Sequence, residues 1–375
     1  MILGVDVSTY FEEKKAGARY FSAGKQVDPL EVFKGNGVTH MRIRIWNDPY
    51  SEGKKPYKGG TCGVENFLRL ASLAKEYGYR VVPDFHYSDF WADPGKQFIP
   101  KGWANDSYET LLAKVAEFTK STLLKLKGEG IGVEMLQIGN EITNGMLWPI
   151  GKLIDNGEGE RRGNYDCLCG LLKAGIAAAK EVYPHAKIIL HLERSGDAAV
   201  YQEFFEEMGR HGVPYDIIGA SYYPYWHGSF KQLFDNLDSC KAKFKKEIMI
   251  MELGYGFTLE DYILTNNGAP HLVINEEKLK EMKEALPYPL NEDGQAAFIE
   301  EFLALSEKHG VEGVFYWEPL WIPGEDICWA STEGQRYINE VGKSQRNEWA
   351  NQCLYDYEGN ALKALDKFKI KGESK

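Results

Sequence analysis

Y-E-T-L-L-A-K-V-A-E-F-T-K-S-T-L-L-K-L-K-G-E-G-I-G-V-E-M-L-Q-I-G-N-E, Tyr108 to Glu141, is the stretch that decides the fold. Its first part sets apolar residues at helical spacing over Tyr108–Lys127, and Gly128 stops the run. Val133–Ile138 then concentrates apolar residues in a short span, as a buried strand does. The same unit recurs outward in both directions. Strands are expected at Leu3–Val7, His40–Ile45, Arg80–Phe85, Val133–Ile138, Lys187–Leu192, Asp216–Ser221, Ile248–Glu252 and Gly313–Trp317. Helices are expected at Val64–Tyr77, Tyr108–Lys127, Leu168–Val182, Tyr201–His211, Phe230–Phe244 and Gln295–His309, with Gly78 and Gly310 as further stops. Eight strands alternating with helices predict an α/β fold, a (β/α)8 TIM barrel, as a single domain over residues 1–375. An open doubly wound sheet is the alternative, but no GxGxxG follows the first strand.

The loops that follow strands are long: Gly53–Gly63, Tyr87–Asn105, Ile142–Asn164, Tyr255–Asp293 and Glu318–Asn347. In a barrel such loops build the active face, and their length suits an extended cleft. Aromatic residues are 13% of the chain, an excess that a cleft of planar stacking surfaces would use. A net charge of −11 without a basic run argues against nucleic acid and anionic membrane as partners. No run approaches the length of a membrane-spanning helix. The N-terminus enters a strand at once, with no signal-peptide pattern. A cytoplasmic location is therefore expected for the chain as given, or an extracellular one if a signal has been removed. Cys62, Cys167, Cys169, Cys240, Cys328 and Cys353 contain no CxxC pair and are too sparse for a disulfide scaffold, so free thiols are expected.

Barrel enzymes keep their chemistry at the carboxyl ends of the strands. There, L-Q-I-G-N-E ends in Glu141 and M-I-M-E ends in Glu252. Two rim carboxyls suit glycoside hydrolysis: one protonates the leaving oxygen, and the other attacks the anomeric carbon from about 5–5.5 Å away in retaining enzymes. In Met41-Arg42-Ile43-Arg44-Ile45-Trp46 the alternation points both arginines into the barrel, where each must be paired. Arg44, nearer the rim, is expected to hold Glu252 ionised, and Arg42 to form an internal ion pair. The strand ends Asp84–Gln97, Ser221–Gly228 and Phe315–Pro319 are rich in aromatic and polar residues. They offer sugar-stacking faces and hydroxyl partners, with His86 either a structural hydrogen-bonder or a substrate contact.

Asn140-Glu141 at strand four with Glu252 at strand seven resembles clan A glycoside hydrolases. M-R-I-R-I-W, D-F-H-Y-S-D-F-W-A-D-P-G-K-Q, Q-I-G-N-E-I-T-N-G-M-L-W-P, S-Y-Y-P-Y-W-H-G and N-E-W-A-N-Q-C-L-Y-D-Y-E-G-N-A-L narrow this further. Over nearly its whole length the chain resembles family 53 glycoside hydrolases, the endo-β-1,4-galactanases acting on type I arabinogalactan. The resemblance implies Glu141 as acid/base and Glu252 as nucleophile. It implies Arg44, His86, Asn140, Tyr223 and Trp317 around the cleaved bond, with Asp89, Trp91 and Trp226 further along the cleft. The expected partner is β-1,4-galactan, a polysaccharide, bound by a monomer. Two loops depart from the family pattern, Glu252-Leu253-Gly254-Tyr255-Gly256-Phe257-Thr258 and Leu190-His191-Leu192-Glu193-Arg194-Ser195-Gly196, which bears on subsite preference.

No cofactor is expected to be required. Some bacterial members hold structural calcium, but Asp261, Asn266, Asn267 and Asn275 show no calcium-loop spacing, so calcium stays an alternative. A β-mannanase or β-xylanase would share both carboxylates, so the sugar rests on the resemblance alone. A metal-dependent barrel hydrolase would want His-x-His at the end of strand one, where Val5-Asp6-Val7-Ser8 has none. A non-catalytic sugar-binding barrel would be expected to lack one of the two glutamates.

Overall fold

The computed structural model describes residues 1–155, 161–263, 271–282 and 286–369. Its strands β1 (Ile2–Asp6), β2 (His40–Ile45), β3 (Arg80–Phe85), β4 (Met135–Ile138), β5 (Lys187–Leu192), β6 (Ile217–Tyr222), β7 (Glu247–Leu253) and β8 (Gly313–Trp317) form a closed, all-parallel barrel. The crossover helices are α1 (Pro29–Gly35), α2 (Val64–Glu76), α3 (Tyr108–Gly128), α4 (Tyr165–Val182), α5 (Ala198–Arg210), α6 (Phe230–Phe244) and α7 (Glu292–Lys308); α8 (Lys363–Lys367) closes the ring after β8. Local chemistry sets the helix starts. Asp28, Ser107, Asn164, Asp197, Ser229 and Asn291 each accept a backbone N–H in the first turn, and Ser229 with Gln232 forms a reciprocal capping box.

The apolar core has two layers. Outward-facing strand residues pack against the helices. Inside the barrel, Val82, Met135, Ile189, Ile217, Met249, Met251 and Phe315 form a separate plug. Gly4 makes room for it, since a Cβ there would come within 2.2 Å of the Phe315 ring. Above the plug the interior turns polar: Asp6, Arg42, Arg44, Asp84, Gln137 and His191 are all fully buried. That polar layer is the floor of the site.

The long loops contain structure that periodicity did not indicate. Within Ile142–Asn164 lies a small antiparallel sheet of Gly145–Met146, Gly151–Asp155 and Arg161–Gly163. Short helices occupy Glu276–Glu281 and Thr332–Tyr337. All six cysteines are free. Among the described residues no helix is long and apolar enough to cross a membrane. Of the residues considered for calcium, Asp261 faces His271 and accepts its backbone N–H, and Asn275 caps a helix. Asn266 and Asn267 lie outside the described residues.

Candidate active site

Glu141 follows β4 in a left-handed backbone conformation, φ +47° and ψ +48°, costing roughly 1 kcal/mol for a residue with a Cβ. Gly139, at φ +81°, makes the same turn possible. Tyr87, Arg194 and Glu318 adopt positive φ at equivalent points after β3, β5 and β8. The rim thus stores its strain where strands hand over to loops.

Glu252 reaches the interior by another device. Strict alternation on β7 would turn Glu252 outward, because Met249 and Met251 face the plug. The pairing shifts register between Ala220 and Ser221 on β6, so that Ser221 lies opposite Glu252 and Met251 is skipped. This bulge re-aims the carboxylate inward. One oxygen each from Glu141 and Glu252 and a ring nitrogen of His191 then all lie within 4.8 Å of one another. Oxygens this close fit the roughly 5–5.5 Å carboxyl separation of a retaining pair better than the about 6.5–9.5 Å of an inverting one.

The surroundings push the two carboxyls apart. Burial raises Glu141 well above the usual carboxyl range, and the nearby charges of Glu252, Glu193 and Asp93 add to it; the Ser221 hydroxyl opposes them only when it donates to the charged form. Burial also raises Glu252, but Arg42 and the Tyr223 hydroxyl pull it back down. Arg42 Nη1 donates to Glu252 Oε1 at 2.9 Å, and Tyr223 Oη donates to Oε2 at 2.9 Å. Glu252 therefore ionises first and Glu141 keeps its proton.

The arginine roles are exchanged relative to expectation. Arg44 does not touch Glu252. Its Nη1 pairs with Glu318 Oε1 at 2.7 Å and lies 3.4 Å from Asp6, while Nη2 donates to Gly59 O. The deeper Arg42 spans the barrel instead, reaching Asp6 at 3.1 Å, Asp84 at 2.8 Å and Glu252. Glu318, directly beyond β8, decides this by taking Arg44 at 2.7 Å, whereas Asp6 is shared and lies nearer Arg42. Arg44 instead supports the cleft from beneath, with its guanidinium 4.6 Å from the Trp91 ring and 5.5 Å from Trp317.

Above the carboxylates lies a cleft of about 610 Å³, and His86, Trp91, Asn140, Tyr223, Trp226 and Trp317 all line it as expected. Asp89 does not. It is fully buried, accepting the backbone N–H groups of Asp48 and Lys101 and pairing with the Lys101 ammonium. A polar residue in an aromatic loop motif tied the loop down rather than meeting the solvent. His86 lies 3.0 Å from Asp84 through Nε2 and takes the Trp46 indole N–H on Nδ1. Asn140 Nδ2 donates to Ala92 O.

Trp321, Trp329 and Trp349 after β8 line the cleft without having been singled out, and Glu193 and Arg194 line it from the departing loop after β5. The wall opposite is a charged pair system in which Lys96 bridges Asp93 and Glu340. The aromatic rings form a continuous row. Trp91 is 6.0 Å from Trp317, Trp317 4.7 Å from Trp349, Trp349 5.2 Å from Tyr223, and Tyr223 5.8 Å from Trp226. The E-L-G-Y-G departure serves this row, since a Cβ at Gly254 would crowd Trp349 at 3.0 Å and Tyr223 at 3.1 Å. Trp349 sits in the N-E-W-A-N-Q-C motif, which was the one available signal for it.

Residues 2–368 match the model for Glycosyl hydrolase family 53. The endo-β-1,4-galactanase of Bacillus subtilis (strain 168) is 33% identical, over 98% of this chain and 85% of that protein. The GH53 catalytic domain of Ignisphaera aggregans superposes with a TM-score of 0.85 at 36% identity, covering 99% of this chain and 96% of that one. A fungal β-1,4-galactanase structure gives a TM-score of 0.75 at 27% identity, with 98% of both chains covered.

Proposed function

The chain belongs to glycosyl hydrolase family 53, and from that we propose that it cleaves β-1,4-galactan internally, by double displacement with retention, releasing short galacto-oligosaccharides. The observation that carries the mechanism is the close approach of Glu141 and Glu252 beneath a cleft of aromatic platforms. Glu252 attacks the anomeric carbon while Glu141 protonates the leaving oxygen. A glycosyl-enzyme forms, and Glu141 then takes a proton from the water that releases it. Two carboxyls suffice for this sequence, with no cofactor in any step.

Internal cleavage is supported by the position of the nucleophile along the row. Tyr223, the residue bonded to Glu252, stands between Trp349 and Trp226 rather than at an end. Platforms therefore lie on both sides of the cleaved bond. Beyond Trp226 a second hollow of about 880 Å³, lined by Asp197, Tyr225 and Lys278, shares Arg194, Trp226, His227 and Val273 with the cleft and lengthens it. The test is reducing-end release from galactan, mannan and xylan side by side. Galactan should be preferred; higher activity on mannan or xylan would overturn the sugar assignment.

A further inference from the structure

His191 is fully buried on β5 between the two carboxylates, and the reaction described above gives it no part. The direction of every hydrogen bond around it follows from Arg42, which has only donors. Arg42 Nη2 donates to Asn140 Oδ1 at 2.7 Å, and Asn140 Nδ2 donates to Ala92 O at 2.9 Å, so Oδ1 is an acceptor. His191 Nδ1 lies 2.9 Å from that oxygen and must carry a proton. Gln137 Nε2 is also 3.2 Å from Nδ1, but it has nearer acceptors in Asp84 at 2.6 Å and in Gly139 O and Asn140 Oδ1, each at 3.0 Å.

Burial holds the imidazole neutral, helped by the fixed charge of Arg42; His86 and His227 also face it. Its Nε2 is then a bare acceptor 2.9 Å from Ser221 Oγ, and the serine hydroxyl fills it. Ser221 has only one proton. Once that is given to His191, Ser221 can meet Glu141 Oε1, 2.7 Å away, only as an acceptor. Glu141 must therefore be the donor, which requires a protonated carboxyl.

We propose that Arg42 sets both catalytic carboxyls in opposite protonation states, directly at Glu252 and through the Asn140–His191–Ser221 chain at Glu141. His191 and Ser221 are positioning residues in this scheme, which rests on the roles assigned above to the two glutamates. When the departing oxygen takes the Glu141 proton, the electron pair of the broken C–O bond leaves with that oxygen, and Glu141 becomes a carboxylate. Ser221 then turns its hydroxyl to Glu141 and releases His191, whose own proton stays on Nδ1. This second setting leaves the Nε2 lone pair facing the Ser221 oxygen, so it persists only while Glu141 is charged. The attacking water bonds to the anomeric carbon, frees Glu252 and returns a proton to Glu141, and the first setting is restored. The remaining groups facing Glu141 are the carboxyls of Glu252, Glu193 and Asp93, all of which favour its protonated form.

The tautomer of His191 tests this without any substrate. Nitrogen-15 imidazole spectra of the full wild-type chain, with His191 assigned by its ring contacts, should show a neutral Nδ1–H ring from pH 5 to 8. An Nε2–H ring or an imidazolium would overturn the proposal. Kinetics supply a second arm through the alkaline limb of kcat/KM on galactan. His191→Phe leaves Ser221 free to donate to the carboxylate and should move that limb down by about one pH unit. Ser221→Ala removes the donor to the carboxylate and should move it up by a similar amount. Shifts in the same direction, or none, would also overturn the proposal. A wild-type chain that fails to cleave galactan would refute the function and leave the tautomer result standing on its own.

Discussion

At the scale of single residues, the site depends on an asymmetry between two buried glutamates. The pH dependence of kcat/KM should be bell-shaped, with the acid limb reporting ionisation of Glu252 and the alkaline limb loss of the Glu141 proton. Tyr223→Phe removes one of the two donors to Glu252. Its ionised form is then less favoured, its pKa rises, and the acid limb should move up by about one pH unit while the alkaline limb stays. Glu141→Ala should lose most activity on galactan yet keep more on an aryl galactoside with a good leaving group, which needs little protonation. Equal losses on both substrates would remove Glu141 from the acid role. Both glutamates were legible in the sequence because each ends an apolar strand. The choice between Arg42 and Arg44 was not, because a period of two fixes the face of a strand but not which neighbour a long side chain reaches. The pairing of Arg44 with Glu318 joins residues far apart in the chain, and no local pattern records it.

At the scale of elements, all eight barrel strands were placed by their apolar runs, with ends differing by at most two residues; Gly78 and Gly310 stop their helices at positive φ as expected, but Gly128 is still helical and Gly130, at φ +67°, makes that stop. The bulge on β7 was invisible, since M-I-M-E satisfies the alternation until Met251 and Glu252 both turn inward. The aromatic loop elements give a direct test of the row. Trp226 is 53% exposed, so its truncation should cost little stability. Loss of one stacking face of roughly 0.5–1.5 kcal/mol should raise KM on long galactan by about two- to tenfold and leave kcat on a short activated substrate near its original value. An unchanged KM would place Trp226 outside the substrate path. The three tryptophans after β8 escaped notice because Glu318–Asn347 folds back over the cleft through tertiary contacts alone, and Trp349 lies just past its end.

At the scale of the whole molecule, a barrel rim, an aromatic row and a central carboxyl pair describe an enzyme that engages a polymer along its length. Galactose carries an axial 4-hydroxyl, so a β-1,4-galactan bends at each linkage and suits rings set at successive angles. The row has that character, with interplanar angles of 52° for Trp91–Trp317, 86° for Trp317–Trp349 and 77° for Tyr223–Trp349. The viscosity of a galactan solution should accordingly fall well before free galactose accumulates; galactose as the dominant early product would rule out internal attack. The central claim is that Glu252 attacks while Glu141 protonates, and the stereochemistry of the first product tests it most directly. Proton NMR of galactan in the first minutes of hydrolysis should show new reducing ends as the β-anomer, with the α-anomer growing in later by mutarotation. New reducing ends appearing first as the α-anomer would contradict the account.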